Sequence, residues 1–177
     1  MSEYIISCES TADLSDEHFR ERGVVYASFS FTLDGESYKD DYGKSMDIHE
    51  FYDRMRKGSM TSTSQIPVPE YEELWRPALE ARKDVYHLTL STGISGTYNS
   101  ACIAAEELRA EFPDRKIFVT DSLTASSGFG MLVDIACDKR DEGLSIEELD
   151  RYITDIRGKN NAWFFTDDLT YLFRGGR

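Results

Sequence analysis

Short runs of β-forming residues alternate with amphipathic stretches along most of the chain, and this alternation restricts the fold more than any other feature. Residues 4–8, 24–33, 85–90, 116–120 and 162–166 read as strands; the second is followed by an Asp34-Gly35 turn signal and a return strand from Glu36. Helical patterns fall between them. Residues 16–22 form a short one closed by Gly23, and residues 47–57 carry Ile48, Phe51, Tyr52 and Met55 on one face. Residues 69–82 form another, which Pro77 is expected to kink or divide. Residues 97–112 place Tyr98, Ala101, Cys102, Ala105, Leu108 and Phe112 on one stripe. Residues 126–142 follow, then a helix that Ser145 caps with Glu148 three residues on, and a last helical turn at 169–173. Strands joined by helices predict an α/β fold, a Rossmann-like parallel sheet flanked by helices.

In such a sheet ligands sit beyond the carboxyl ends of the strands. That rule selects four loops, at residues 9–13, 58–65, 91–97 and 121–130, all rich in Ser, Thr, Asp or Gly. Ser91-Thr92-Gly93-Ile94-Ser95-Gly96-Thr97 follows a strand and opens a helix, whose first N–H groups lack intrahelical partners and favour an anion. Ser95 can donate its hydroxyl to the same anion or act simply as a helix cap, and Gly96 permits close approach to the backbone. The run Thr61-Ser62-Thr63-Ser64-Gln65 is either a surface linker or a set of hydroxyls facing a ligand, with Gln65 holding the loop in shape. Asp13 is expected to cap the turn after the first strand.

Composition removes several functions. Acidic residues outnumber basic ones 33 to 20, for a net charge of −13, which argues against nucleic acid and anionic membrane surfaces. No stretch is apolar for the about 20 residues that a membrane-spanning helix needs. The start, Met1-Ser2-Glu3-Tyr4-Ile5, lacks the pattern of a secretory signal, so a cytoplasmic protein is expected. Cys8, Cys102 and Cys137 are far apart and read as core thiols, and His18, His49 and His87 match no metal motif, so neither metal nor cofactor is expected. Gly43-Lys44-Ser45 resembles the end of a phosphate-binding loop but has Tyr38 where the first glycine belongs, and Gly128-Phe129-Gly130 stands at a helix start rather than after the first strand. A serine hydrolase built on Ser95 would need a glycine where Thr97 stands, and His87, in mid-strand, is poorly placed as its base.

Five segments in order give a closer likeness. Ser10-Thr11-Ala12-Asp13-Leu14, Thr63-Ser64-Gln65, Ser95-Gly96-Thr97-Tyr98 with Ser100-Ala101, Asp121-Ser122 with Gly128 and Gly130, and Asp168-Leu169-Thr170-Tyr171-Leu172 with Arg174-Gly175-Gly176-Arg177 together resemble the DegV family of bacterial fatty-acid-binding proteins. The resemblance implies a non-enzymatic protein that binds a long-chain fatty acid between two lobes. Its carboxylate would be held by Thr63 and Ser95 with backbone help near Gly96. Ser10, Ser64, Ile94, Thr97, Ser127 and Arg174 would border the pocket, and Phe29, Phe31, Ile94 and Met131 are candidates for the tail lining or for plain core. A separate fatty-acid kinase is the implied partner. Residues 1–160 would form the first lobe and residues 161–177 the beginning of a second, whose remainder lies outside the sequence. Ile66 intervenes between Gln65 and Pro67, where the family usually has proline directly, and is expected to shift that loop. The competing expectation is a fragment without ligand activity that forms homo-oligomers through an uncovered apolar face.

Overall fold

A computed structural model describes residues 3–166 and 168–174. Strands β1 (Tyr4–Glu9), β2 (Val24–Ala27), β6 (Asp84–Thr89) and β7 (Ile117–Asp121) form a wholly parallel sheet in the order β2-β1-β6-β7. Helices α3 (Val68–Glu80) and α4 (Thr97–Glu111) pack together against this sheet. Helices α5 (Ser126–Asp141) and α6 (Ile146–Ile156) also pack together and against it, and α1 (Asp16–Arg22) is tied to α5 by a His18–Asp134 hydrogen bond and an Arg22–Asp138 ion pair. With helices on both faces the central strands are covered, and Val85, Tyr86, His87, Leu88 and Thr89 of β6 are all buried.

The predicted α/β fold is thus present, with local corrections. The single strand expected over residues 24–33 is two strands in different sheets. β2 ends at Ala27, Phe29 enters the main core, and β3 (Ser30–Leu33) starts a three-stranded antiparallel sheet, order β4-β3-β5, with β4 (Glu36–Lys39) and β5 (Thr61–Ser64). The break is fixed because the Phe29 N–H donates to Ser10 Oγ (3.2 Å) rather than to a sheet neighbour. The hydroxyl-rich run expected as a loop is strand β5, pairing Phe31 with Thr63 and Ser30 with Ser64. α2 (Ile48–Arg56), capped by Asp47, lies beside this sheet, where Phe31 meets Tyr38 and Phe51 (centroids 5.5 and 5.0 Å). The apolar face predicted for α2 is only partly covered, since Ile48 and Tyr52 are exposed.

Pro77 does not divide α3. It sits on the exposed side, where the carbonyl it leaves without a partner can bond water. The capping box of Ser145 and Glu148 forms as predicted. The strand expected at 162–166 does not form. Trp163, Phe164 and Phe165 are exposed at 93%, 85% and 98%, and without a paired neighbour the segment has nothing to complete a ladder. A short helix α7 (Thr170–Arg174) follows, near the predicted turn.

Candidate functional site

The order β2-β1-β6-β7 contains a switch point: the chain leaves β1 for β2 on one side and later returns to the other side as β6. The crevice such folds use for ligands opens there, above the carboxyl ends of β1 and β6. Three of the loops selected from sequence, those leaving β1, β6 and β7, lie at that end of the sheet.

The β5 exit docks on the N-terminus of α4. Gln65 Nε2 donates to Ser100 Oγ (3.3 Å), and Ile66 N–H donates to Thr97 Oγ1 (3.3 Å). A Cβ on Gly96 would lie 2.5 Å from Gln65 Oε1, so glycine is what leaves room for the Gln65 amide in this position. Ile66 anchors this loop, its side chain buried in the main core. Two residues beyond Thr63 thus touch residues just beyond Ser95.

Ser95 is half-buried. Its Oγ accepts the Thr97 N–H (3.3 Å), and its own N–H donates to Ser91 O (3.2 Å). The hydroxyl proton stays free to donate, because that bond uses Oγ only as acceptor. Asn99 N–H is held by Gly96 O, so two first-turn donors of α4 are engaged inside the loop itself. The Thr63 hydroxyl has no partner among the described residues and is exposed, as are Ser64 and Ser127. Ile94 is exposed at 45%.

Two predicted pocket residues take other positions. Ser10 and Thr97 are fully buried. Ser10 Oγ holds the Phe29 N–H, and Thr97 Oγ1 meets Ile66 N–H and Tyr71 Oη (3.1 Å). Close packing draws both hydroxyls inward to satisfy buried donors, where an open pocket wall was expected. Arg174's side chain lies outside the described residues, as do Gly175, Gly176 and Arg177. Of the candidate lining residues, Phe29 is core, Phe31 belongs to the aromatic cluster of the small sheet, and Met131 is exposed.

The second rim is built on β7. Asp121 accepts from Thr92 Oγ1 (2.6 Å) and Leu123 N–H (2.8 Å), tying the exits of β6 and β7 together. Leu123 and Ser126 adopt φ of 59° and 50°, a left-handed backbone that non-glycine residues take only when their surroundings hold them there. The two glycines of Gly128-Phe129-Gly130 are packing devices: a Cβ on Gly128 would lie 2.8 Å from Ala162 Cβ, and one on Gly130 would collide with the Ala12 carbonyl of the 3-10 turn Ser10–Ala12. Asp13 closes that turn in the left-handed region, its N–H bonded to Ser10 O.

Sequence reasoning missed Glu9, assigned to a polar loop. It is the last residue of β1, fully buried, and accepts from Tyr71 Oη (2.6 Å) and Leu90 N–H (2.8 Å). The one available signal was a carboxylate directly ending an apolar strand; its partners lie 62 and 81 residues away. Burial, together with the charge of Glu9, pushes the Tyr71 hydroxyl pKa far up, so it stays a donor.

Nearby, burial raises the Asp40 carboxyl pKa, the Ser10 hydroxyl opposing and the charges of Asp13 and Asp41 reinforcing the shift. Folded Asp40 therefore holds its proton to higher pH than the unfolded chain does, and its ionisation opposes folding above that raised pKa. Asp40→Asn is expected to raise Tm at neutral pH by about 2 °C, and calorimetry at decreasing pH should show the gain fading as Asp40 protonates in the parent.

Two open concavities, of about 310 and 430 Å³, lie at the opposite end of the sheet, around Arg82, Asp114 and Arg115. Neither is lined by residues of the four loops.

A family model described as "Uncharacterised protein, DegV family" matches residues 4–177. The chain belongs to the DegV family. A DegV domain-containing protein of Lactococcus lactis, YteA, is 35% identical over 97% of this chain and 60% of its own length. Among solved structures, a DegV family protein from Thermus thermophilus described by its fatty acid binding superposes with a TM-score of 0.86 at 31% identity, covering all of this chain and 61% of its own. A Thermotoga maritima protein, TM841, described as revealing fatty acid binding function, gives 0.86 at 30% identity, covering all of this chain and 64% of its own. The DegV chain described here spans about 60% of the length of the curated relatives it matches. Among its described residues no helix is long and apolar enough to cross a membrane.

Proposed function

We propose that this chain binds a long-chain fatty acid and holds the carboxylate where the β5 exit meets the N-terminus of α4, with the Thr63 and Ser95 hydroxyls as donors and Gly96 leaving room for the head group. The observation that carries this reading is the lock of Gln65 and Ile66 onto Gly96, Thr97 and Ser100, which brings two hydroxyl-bearing segments to one edge of the switch-point crevice. The fatty acid binding described for the Thermus and Thermotoga relatives, each at least 30% identical, supports the choice of ligand. A carboxylate accepts only, so hydroxyl donors suit it. The acyl tail supplies affinity at about 0.8 kcal/mol per buried CH₂ before ordering costs.

In this reading the protein is a carrier without cofactor or metal and without catalytic residues of its own, and a separate fatty-acid kinase acts on the bound carboxylate. The surroundings of His87 support the absence of a Ser95 hydrolase: its ring faces Ser7 Oγ (2.9 Å) and Glu9 (3.6 Å) deep in the core. Three unpaired cysteines support a cytoplasmic setting. Residues 1–160 constitute the head-group lobe and residues 161–177 lead into a second lobe. A second reading, a homo-oligomer without ligand, draws on the exposed Trp163, Phe164 and Phe165. Native mass spectrometry of the purified protein tests both: the carrier reading expects a co-purifying or titratable fatty acid of one equivalent, whereas higher mass with no bound acid at any concentration favours the oligomer.

A further inference from the structure

Beneath the crevice lies a buried polar chain whose direction is fixed by one carboxylate. Glu9 presents two oxygens, both acceptors: Oε1 accepts the hydrogen bond of the Tyr71 hydroxyl and Oε2 that of the Leu90 N–H. Because Tyr71 gives its only proton to Glu9, the bond between Tyr71 and Thr97 must run from Thr97, whose Oγ1 is then left to accept the Ile66 N–H. The order is Ile66 N–H to Thr97, Thr97 to Tyr71, Tyr71 to Glu9, with Leu90 N–H entering Glu9 from the other side. Each of these groups is buried, and bonds so aligned strengthen one another. The chain spans the two segments of the proposed carboxylate site: Ile66 closes the β5 exit, Thr97 opens α4 with its N–H on Ser95 Oγ, and Leu90 begins the loop leading to Ser95.

We infer that Glu9 is a positioning residue for the carboxylate site. Touching no ligand itself, it sets the direction of the Thr97 hydroxyl and so holds the β5 exit and the first turn of α4 in the register that aims Ser95. The inference rests on the carboxylate-binding reading above. Glutamine at position 9 has the same shape but one acceptor and one donor. In one orientation its amide meets the Leu90 N–H donor to donor. In the other the chain reverses, and the buried Thr97 proton loses its acceptor.

The test compares hexadecanoic acid with hexadecanol in parent and Glu9→Gln protein, by titration, alongside amide exchange of the unliganded proteins. The expected result is a fall of about tenfold in affinity for the acid, little change for the alcohol, and faster exchange at Ile66 and Leu90. Thr97→Val should reproduce this loss and Thr97→Ser should restore parental preference; this pair carries the test if Glu9→Gln does not fold. An unchanged acid-to-alcohol ratio in Glu9→Gln or Thr97→Val overturns the inference, even with faster exchange, because the network would then be structural only. A parent with no preference for the acid overturns the carboxylate reading itself, a failure visible before any variant is made.

Discussion

Replacing Gly130 by alanine is expected to destabilise the protein by about 2 kcal/mol and to lower Tm by about 4–8 °C. Helix propensity alone points the other way, since alanine is favoured over glycine inside a helix by about 1 kcal/mol. Packing decides the sign. The added Cβ would collide with the carbonyl oxygen of Ala12 and touch the Leu14 side chain. A backbone oxygen cannot rotate aside as a side chain can, so α5 must move away from the turn after β1. That movement loosens Phe129 and Val133, both fully buried. Gly128→Ala offers the comparison, with a smaller expected loss: its Cβ would meet the Thr124 hydroxyl, which can rotate aside, and the Cβ of Ala162, which can yield only if the irregular segment that carries it shifts. Urea unfolding of the three proteins checks the order parent, Gly128→Ala, Gly130→Ala; a Gly130→Ala midpoint equal to the parent's would contradict the packing argument.

The double substitution Thr63→Ala, Ser95→Ala is expected to weaken binding of a long-chain fatty acid by about 100-fold or more, since a hydrogen bond to a charged group contributes about 1.5–3 kcal/mol. Each single variant should lose about tenfold or more, and the two need not add, because both hydroxyls would serve one carboxylate. Stability should change little. Thr63 is exposed with no partner among the described residues, and Ser95 gives up only its bond to the Thr97 N–H. Calorimetric titration together with thermal melts separates the effects. Unchanged affinity in the double variant would remove these two residues from the site, while fatty acid binding by the parent would still stand.

Much of the scaffold is local and could be read in advance. The Ser145–Glu148 box, the Asp34-Gly35 turn, the Gly23 stop and the buried run of β6 follow from residues within a few positions of one another. The candidate site was legible only as loops: hydroxyls at Thr63 and Ser95 stood out, but nothing in their neighbourhoods distinguishes them from Ser10 and Thr97, which the fold buries. The expected strand at 162–166 shows the limit of propensity, for a run of aromatic residues makes a strand only beside a partner.

The sequence by itself determined the α/β alternation, the positions of the helices to within a residue or two at each end, and the loops that leave β1, β6 and β7, because periodicity and capping act over one or two turns. Tertiary structure alone decided that residues 24–33 divide between two sheets, that Thr61–Ser64 is a strand, and that Glu9 lies buried beneath the crevice. It also decided that Gln65 closes on Gly96. These depend on groups tens of residues apart that meet only when the sheet is assembled, and there the need to satisfy each buried donor and acceptor selects which hydroxyls turn inward and which remain for a ligand.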